Sequence, residues 1–416
     1  MRRYSITQAL GLPEYKILGI LLDTKKKIHL QIRAYKRKKA KCSGCGEYHD
    51  TKKVHSLKEV VVEDLRMFGK RVYLHVIKRR YRCLKDGRLY IELIDWLKPR
   101  CRVTNRLAKE IYRLTSITTN QEAGWYLGMN DEKVYRIDKA MLENLAEQHL
   151  SPTPVSTNIS VDEVAWKKHH RYLTNVVDVD EKVVTWNEKG RKSKVLNKYY
   201  ESLGEDNCQK IESVSLDGAK TYISSSKKHA VNALIVLDRF HAVQKVNNAI
   251  DHVRKNELRK ARKNEDEELI LLTNCKQRFI LLKNKTKRSD RQSSTLAHLC
   301  DINHPIYTGM ILKEKFLEVY DLKTEDEAII HIYEWIDDAL ESGLKPFEEI
   351  AWSLVEKIEY VLNWFIVKRS SAISEGFNNK IKRLKRMAYG YRDIEYFKLK
   401  IHQHCGYLNP RRFNLN

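Results

Sequence analysis

Between residues 157 and 237 the sequence runs through short apolar segments in a fixed order, and that order restricts the fold more than any other feature. Segments 157–164, 172–180, 182–188, 211–216 and 233–237 are rich in Val, Ile and Leu and read as strands. Stretches at 194–203 and 219–229 interrupt the later ones with helical spacing. Three strands joined by turns, then alternating helix and strand, predict a sheet whose first and fourth strands lie side by side at its centre. Acidic residues stand where those two strands end: Asp162 in Ser160-Val-Asp-Glu and Asp217 in Leu216-Asp-Gly. Far apart in sequence, they should meet in space.

A third acid, Glu375, opens a basic helix in Ser374-Glu-Gly-Phe-Asn-Asn-Lys. Phe377, Ile381, Leu384 and Ala388 recur there at helical spacing as an apolar stripe, and Glu375, Asn379, Lys382 and Arg386 occupy the opposite face. The helix dipole alone also favours glutamate in a first turn. Carboxylates gathered in this way suit Mg²⁺ or Mn²⁺, which take a few carboxylate oxygens and keep other positions for water or phosphate.

Charge names the partner class. The 416 residues carry 78 Lys and Arg against 54 Asp and Glu, a net charge of +24 spread along the whole chain. Runs such as 36–41, 78–82, 255–263 and 380–386 give a broad positive field, so nucleic acid is the expected partner. No stretch reaches the ~18 apolar residues of a membrane span and no signal peptide opens the chain, which predicts a cytoplasmic protein with reduced cysteines.

Upstream, 17–22 and 28–33 alternate like a strand hairpin, and 60–65 with 71–81 form a second that turns at Gly69. Cys42-Ser-Gly-Cys45 has the form of half a zinc knuckle, with a third sulfur at Cys83. Tetrahedral zinc needs four ligands. Asp86 stands where a fourth cysteine is expected, and His49 and His55 are alternatives; a β module folding on its own core without metal is the plainer reading. Leu107, Ile111 and Leu114, then 120–127, Gly128 and 131–145, predict a helix-turn-helix with Asn130 as N-cap. Its last helix would bring Lys133, Tyr135, Arg136 and Lys139 to DNA. A plain helical linker is the alternative. Residues 251–365 read as a long helical insertion, in which Trp335, Trp352 and Trp364 most simply pack a core.

Cys42-x-x-Cys45, Tyr81-Arg-Cys83, Val161-Asp-Glu-Val, Leu237-Asp-Arg-Phe-His and Ser374-Glu-Gly-Phe-Asn-Asn-Lys with Ala388-Tyr-Gly-Tyr-Arg resemble the ISL3 family of bacterial insertion-sequence transposases from about residue 10 to residue 405. The resemblance implies a DDE enzyme with Asp162, Asp217 and Glu375 as its triad on two Mg²⁺ or Mn²⁺ ions, His241 beside Asp238 as an accessory, and structural Zn²⁺ at Cys42, Cys45 and Cys83, the chain departing from the family where Asp86 replaces the fourth cysteine. It implies double-stranded DNA as substrate, with terminal inverted repeats and target both bound, and at least a dimer on paired ends. Lys380, Lys382, Arg383, Lys385 and Arg386 would hold phosphates beside the triad.

The expected fold is multidomain α+β. A zinc-ribbon-like β module (1–98) and a helix-turn-helix (99–150) precede an RNase H-like core (151–250 and 366–408) interrupted by the helical insertion (251–365). Two alternatives compete: a catalytically inactive DNA-binding regulator, and a structure-specific nuclease of the same fold.

Overall fold

Leu30 and Ile32 on one strand and Val72, Leu74 and Val76 on another are fully buried while their neighbours are not, the two-residue period of a half-buried sheet. The computed structural model describes residues 10–12, 14–49, 54–97, 102–167, 171–368 and 372–412. They divide into two units, residues 1–145 with 409–416 and residues 146–408.

The first unit begins with the hairpin β1 (Tyr15–Asp23) and β2 (Lys27–Ala34). Short strands β3 (Ala40–Cys42) and β4 (Tyr48–His49) precede a long hairpin of β5 (Val54–Met67) and β6 (Lys70–Arg82), then β7 (Leu89–Leu93). Strand order is β1-β2-β6-β7-β3-β4 with β5 paired to β6, and β2 runs parallel to β6. The second hairpin does turn at Gly69, as expected, but β5 starts earlier than its apolar run because β6 pairs with it as far as Val54.

Helices α1 (Asn105–Thr115), α2 (Asn120–Leu127) and α3 (Asp131–His149) follow. Thr119 and Glu122 close a capping box on α2, and Gly128 ends it at φ 62°. The next turn is tight: a β-carbon on Gly124 would stand 2.8 Å from the Met129 carbonyl oxygen. Asn130 accepts the Glu132 N–H at 2.9 Å, the expected cap on α3. Two buried acids on β5 tie these helices to the sheet. Glu63 accepts from Arg71 Nε at 2.8 Å and Lys133 Nζ at 2.7 Å. Asp64 accepts from the Thr104 hydroxyl and from Arg106 Nε, each at 2.7 Å.

The second unit holds a five-stranded sheet of order β10-β9-β8-β11-β12. Its members are β8 (Asn158–Lys167), β9 (Arg171–Asp178), β10 (Val183–Lys189), β11 (Ser213–Leu216) and β12 (Leu234–Leu237). The first three form an antiparallel meander; β11 runs parallel to both β8 and β12. Helices α4 (Ser193–Leu203), α5 (Glu205–Cys208) and α6 (Lys220–His229) connect the later strands.

From β12 the chain enters α7 (Arg239–Lys263), which runs unbroken past residue 251 into a helical region. There follow α8 (Glu267–Thr273), α9 (Arg278–Leu282), α10 (Asp290–Ile302), α11 (His304–Glu318), α12 (Glu325–Glu341), α13 (Lys345–Val355) and α14 (Ile358–Val367). Trp335 is buried at its centre and donates to the Leu312 carbonyl at 2.6 Å. Trp364 packs against the same core, whereas Trp352 is exposed, contrary to the expectation that all three pack inside. The last helices, α15 (Ala372–Met387) and α16 (Ile394–Cys405), return to the sheet. Among the described residues no helix is long and apolar enough to cross a membrane.

The two faces of this sheet bury different sets of residues. Ile159, Val161, Val214, Leu216, Ile235 and Leu237 join the core made with α4, α6 and α7. Val164, Trp166, Leu173 and Val177 instead pack against Ile381 and Leu384 of α15 and Phe397 and Ile401 of α16. The apolar stripe expected on α15 is thus its buried face, although the helix ends one residue short of Ala388.

Beside this second core, burial of His402 pushes its imidazole down to about 4 from an ordinary 6.5. The unfolded chain takes up a proton that the folded one refuses. The group costs nothing above about pH 6.5, and stability falls as pH drops toward 4, by up to roughly 3 kcal/mol. Urea unfolding at pH 7.5 and 4.5 should show a smaller acid loss for His402→Gln than for wild type; equal losses would contradict the assignment.

Candidate catalytic and metal sites

Strand parity places the acids. Along β8, residues 162, 164 and 166 alternate with 159 and 161, so Asp162 points to the face that α15 covers. Ser215 pairs with Ser160, which sets Asp217 opposite Asp162 two residues further on. Leu216 pairs with Leu237, and the Asp238 N–H donates to the Leu216 carbonyl at 2.8 Å, so Asp238 is next in the row. Adjacent strands lie ~4.8 Å apart. Three aspartates therefore line one face across three parallel strands: Asp217 and Asp238 follow the ends of β11 and β12 as a strand-end acid should, whereas Asp162 lies midway along β8, which runs on to Lys167 instead of ending near the acid as expected.

Each is held differently. Asp162 Oδ1 accepts the Glu163 N–H and Oδ2 accepts from Asn378 Nδ2, both at 2.6 Å. Asp217 accepts the Ala219 N–H at 2.9 Å across Gly218, whose φ of 86° and closeness to Leu237 exclude a side chain. Asp238 caps α7 through the Phe240 N–H at 2.8 Å and meets His241 Nδ1 at 2.9 Å. With a carboxylate as partner, Nδ1 is the donor and Nε2 is left for another contact.

The electrostatics follow from this crowding. Burial raises the Asp162 carboxyl above its usual range, Asp238 and Asp217 add to the rise, and His241 opposes it. The hydrogen bond to Asp238 raises the His241 pKa, with Asp162 and Asp217 contributing. Burial lowers the Lys357 ammonium, and Lys245 lowers it further while Asp217 opposes. Asp162 and Asp217 thus carry no lysine or arginine ion pair among the described residues, with His241 and Lys357 as the cationic groups nearby.

Glu375 is half-buried in the first turn of α15. It lies three residues before Asn378 and so on the same side of the helix. Among the described residues it hydrogen-bonds to neither aspartate. Asn378, at most 8% exposed, was missed by sequence reasoning, which assigned the polar face to Asn379; the helical phase of the buried Ile381 was the available signal. Lys357 was missed as well, since it precedes α14, remote in sequence from either aspartate.

Cys42, Cys45, His49 and Cys83 have ligand atoms all within 4.8 Å of one another, the one group of three or more so placed among the described residues. Cys45 Sγ and His49 Nε2 are 3.1 Å apart. Pairing of β3 with β4 sets His49 opposite Ala40 and carries it to the sulfurs. His49, and not the expected Asp86, stands within reach of all three sulfurs; the Asp86 carboxylate accepts the Arg88 N–H at 2.9 Å and the Tyr90 hydroxyl at 2.7 Å. His55, the other alternative, is no part of the cluster. Three sulfurs and one imidazole suit structural zinc.

The expected DNA-facing side chains fare unevenly. Lys133 is spent on Glu63, Lys139 lies 6.0 Å from the Tyr135 ring centroid, and Arg136 is exposed. On α15, Lys380 donates to the His404 carbonyl and Lys385 to that of Ala165 at 2.7 Å, while Lys382, Arg383 and Arg386 are exposed.

Comparison with known proteins bears on both sites. Residues 159–401 match a family model of DDE type described as the ISL3 transposase, and residues 38–85 match a zinc-finger of transposases IS204, IS1001, IS1096 and IS1165. The transposase for insertion sequence element IS1001 of Bordetella parapertussis is 31% identical over 362 residues, 86% of this chain and 87% of that protein. The transposase for insertion sequence element IS1557 of Mycobacterium tuberculosis, in strains CDC 1551 and H37Rv, is 28% identical over 56% of each chain.

Metal analysis of purified protein checks the ligand set. His49→Ala should lose the zinc that wild type retains through dialysis, and Asp86→Ala should keep it; the reverse pattern would return Asp86 to the site.

Proposed function

Because the chain belongs to the ISL3 family of insertion-sequence transposases, we propose that it binds the terminal inverted repeats of its element and catalyses divalent-metal-dependent strand cleavage and strand transfer. The observation that carries this reading is the in-register row of Asp162, Asp217 and Asp238, joined through Asn378 to the helix that bears Glu375. The strand order β10-β9-β8-β11-β12 supports an RNase H-like core, assigned to 151–250 and 366–408 with 251–365 inserted.

In this mechanism Asp162, Asp217 and Glu375 are the DDE triad. Their carboxylates would hold Mg²⁺ or Mn²⁺, which when bound would supply Lewis acidity to the attacking water and to the leaving oxygen. Asn378 fixes the orientation of Asp162, and the backbone N–H of Glu163 fixes the other oxygen. His241, oriented by Asp238, presents Nε2 to the substrate phosphate. Lys357, Lys382, Arg383 and Arg386 bind flanking phosphates. Hydrolysis frees a 3′-hydroxyl at the element end, and that hydroxyl then attacks a phosphodiester of the target.

End recognition falls to the first unit. We read α2, Gly128 and α3 as a helix-turn-helix in region 99–150, and region 1–98 as a zinc-bearing module that helps to hold the repeat. Lys133 then acts by positioning α3 through Glu63, and Arg136 and Tyr135 act at the DNA. Two ends brought together call for at least a dimer.

Labelled DNA carrying the element ends tests the triad. Alanine at Asp162, Asp217 or Glu375 should abolish metal-dependent nicking while binding persists; retained nicking would remove the residue from the triad. Binding without nicking by wild type itself would favour an inactive regulator. Asn378→Ala should slow nicking by about 10- to 100-fold, as loss of a group that orients a metal ligand does, with metal-free DNA binding unchanged.

A further inference from the structure

One end of the first sheet carries a feature that neither site uses. Met67 pairs with Lys70, leaving Phe68 and Gly69 as a two-residue turn between β5 and β6. Both have positive φ, 53° and 76°. A turn with left-handed backbone at both central positions is the type I′ hairpin, which favours Asn-Gly or Asp-Gly because a bulky side chain is strained there. Here the first position is phenylalanine, and the residue is 93% exposed. Neither the backbone nor burial accounts for it.

Cations outnumber anions at this end of the sheet. Because β2 and β6 are parallel, the β1–β2 turn lies at the same end of the sheet. The Arg71 N–H donates to the Lys26 carbonyl at 3.0 Å, and Lys70 pairs with Asp23 at the end of β1, so the two turns are fixed side by side. Lys25, Lys26, Lys27, Arg66 and Arg71 line a groove of about 730 Å³ between them. Among the described residues the first four form no ion pair; Arg71 is paired with Glu63. The groove also reaches the α2–α3 turn: a β-carbon on Gly128 would stand 3.0 Å from Arg66 Nη2.

We propose that Phe68 is a wedge that enters the minor groove of duplex DNA and unstacks one base step, with Lys25, Lys26, Lys27 and Arg66 on the flanking phosphates. The chemistry fits that occupant. An apolar side chain inserted between base pairs needs a rigid ribbon to carry it and cations to hold the backbone on both sides. A protein partner suits the surface less, since the centre of a protein interface is depleted of charge, and here uncompensated cations line the groove beside the turn that carries the ring. The inference rests on the proposed DNA binding and is independent of the catalytic reading.

The test uses the full chain and duplexes carrying the element ends, with 2-aminopurine placed at successive positions. Wild type should raise fluorescence at one step. Phe68→Ala should abolish that rise and weaken binding about tenfold, as removal of a stacked aromatic does, and Phe68→Trp should restore both. Phe68→Asn should raise the melting temperature while weakening DNA binding, because Asn-Gly suits the turn. Lys25→Ala/Lys26→Ala/Lys27→Ala should reduce the slope of log affinity against log salt by about 0.9 for each phosphate that is no longer neutralised.

The proposal falls if Phe68→Ala binds and unstacks as wild type does. It also falls if the variant's weaker binding comes with a lower mass of DNA-free protein in light scattering, which would mark a contact between copies. Nicking by wild type with no effect of Phe68→Ala would overturn the wedge and leave the transposase reading in place; unstacking without nicking would do the reverse.

Discussion

The parallel pairing of β8 with β11 is the constraint on which the candidate site depends. Side chains alternate along a strand, so a slip of one residue would turn Asp217 toward the core, bring Val214 and Leu216 out onto the site's face and leave Asp162 without its neighbour. Apolar residues on both faces of β8 oppose such a slip, because Ile159 and Val161 fill one core and Val164 and Trp166 the other. The same packing concentrates negative charge. Burial already disfavours ionised Asp162, and its neighbours add to the effect. A site of this kind is held together by the sheet and by Asn378, and the proposed divalent cation would offset its crowded charge.

The long helical region and the two C-terminal helices bear on the same point. Asn378 lies 216 residues after Asp162 and still supplies its second hydrogen bond. Asn363 donates to the Ile235 carbonyl at 2.8 Å, which ties α14 to the outer parallel strand just before the chain turns into α15. The buried pair of Arg254 and Asp251, with Arg254 also on the Thr273 carbonyl at 2.7 Å, fixes α8 against α7. Breaking such a pair leaves a charge unpaired in the interior, which costs roughly 3–5 kcal/mol.

Much of this was legible in the sequence, where local pattern and tertiary structure agree. The strand that ends before Asp217 could be read because its apolar run stops there, and the turn at Gly128 because glycine suits its backbone; β8 was read too short, since its pairing with β9 carries it past Asp162 to Lys167. What escaped depended on long-range placement. His49 and Asp86 are equally plausible zinc ligands by spacing, and only the β3–β4 pairing against the Asp86 contact with Tyr90 separates them. Lys133, Lys380 and Lys385 belong to basic runs that look free for DNA, yet each meets a partner distant in sequence. Phe68 sits in a segment whose composition marks only a hairpin, and its exposure cannot be read from the sequence.

The most direct test of the central claim is to locate bound metal. Crystals of the protein with element-end DNA, soaked in Mn²⁺, should give anomalous density between the carboxylates of Asp162 and Asp217, with Glu375 at its edge. Density at Glu163 or Asp238 instead, or none at saturating Mn²⁺ with DNA in place, would contradict the account.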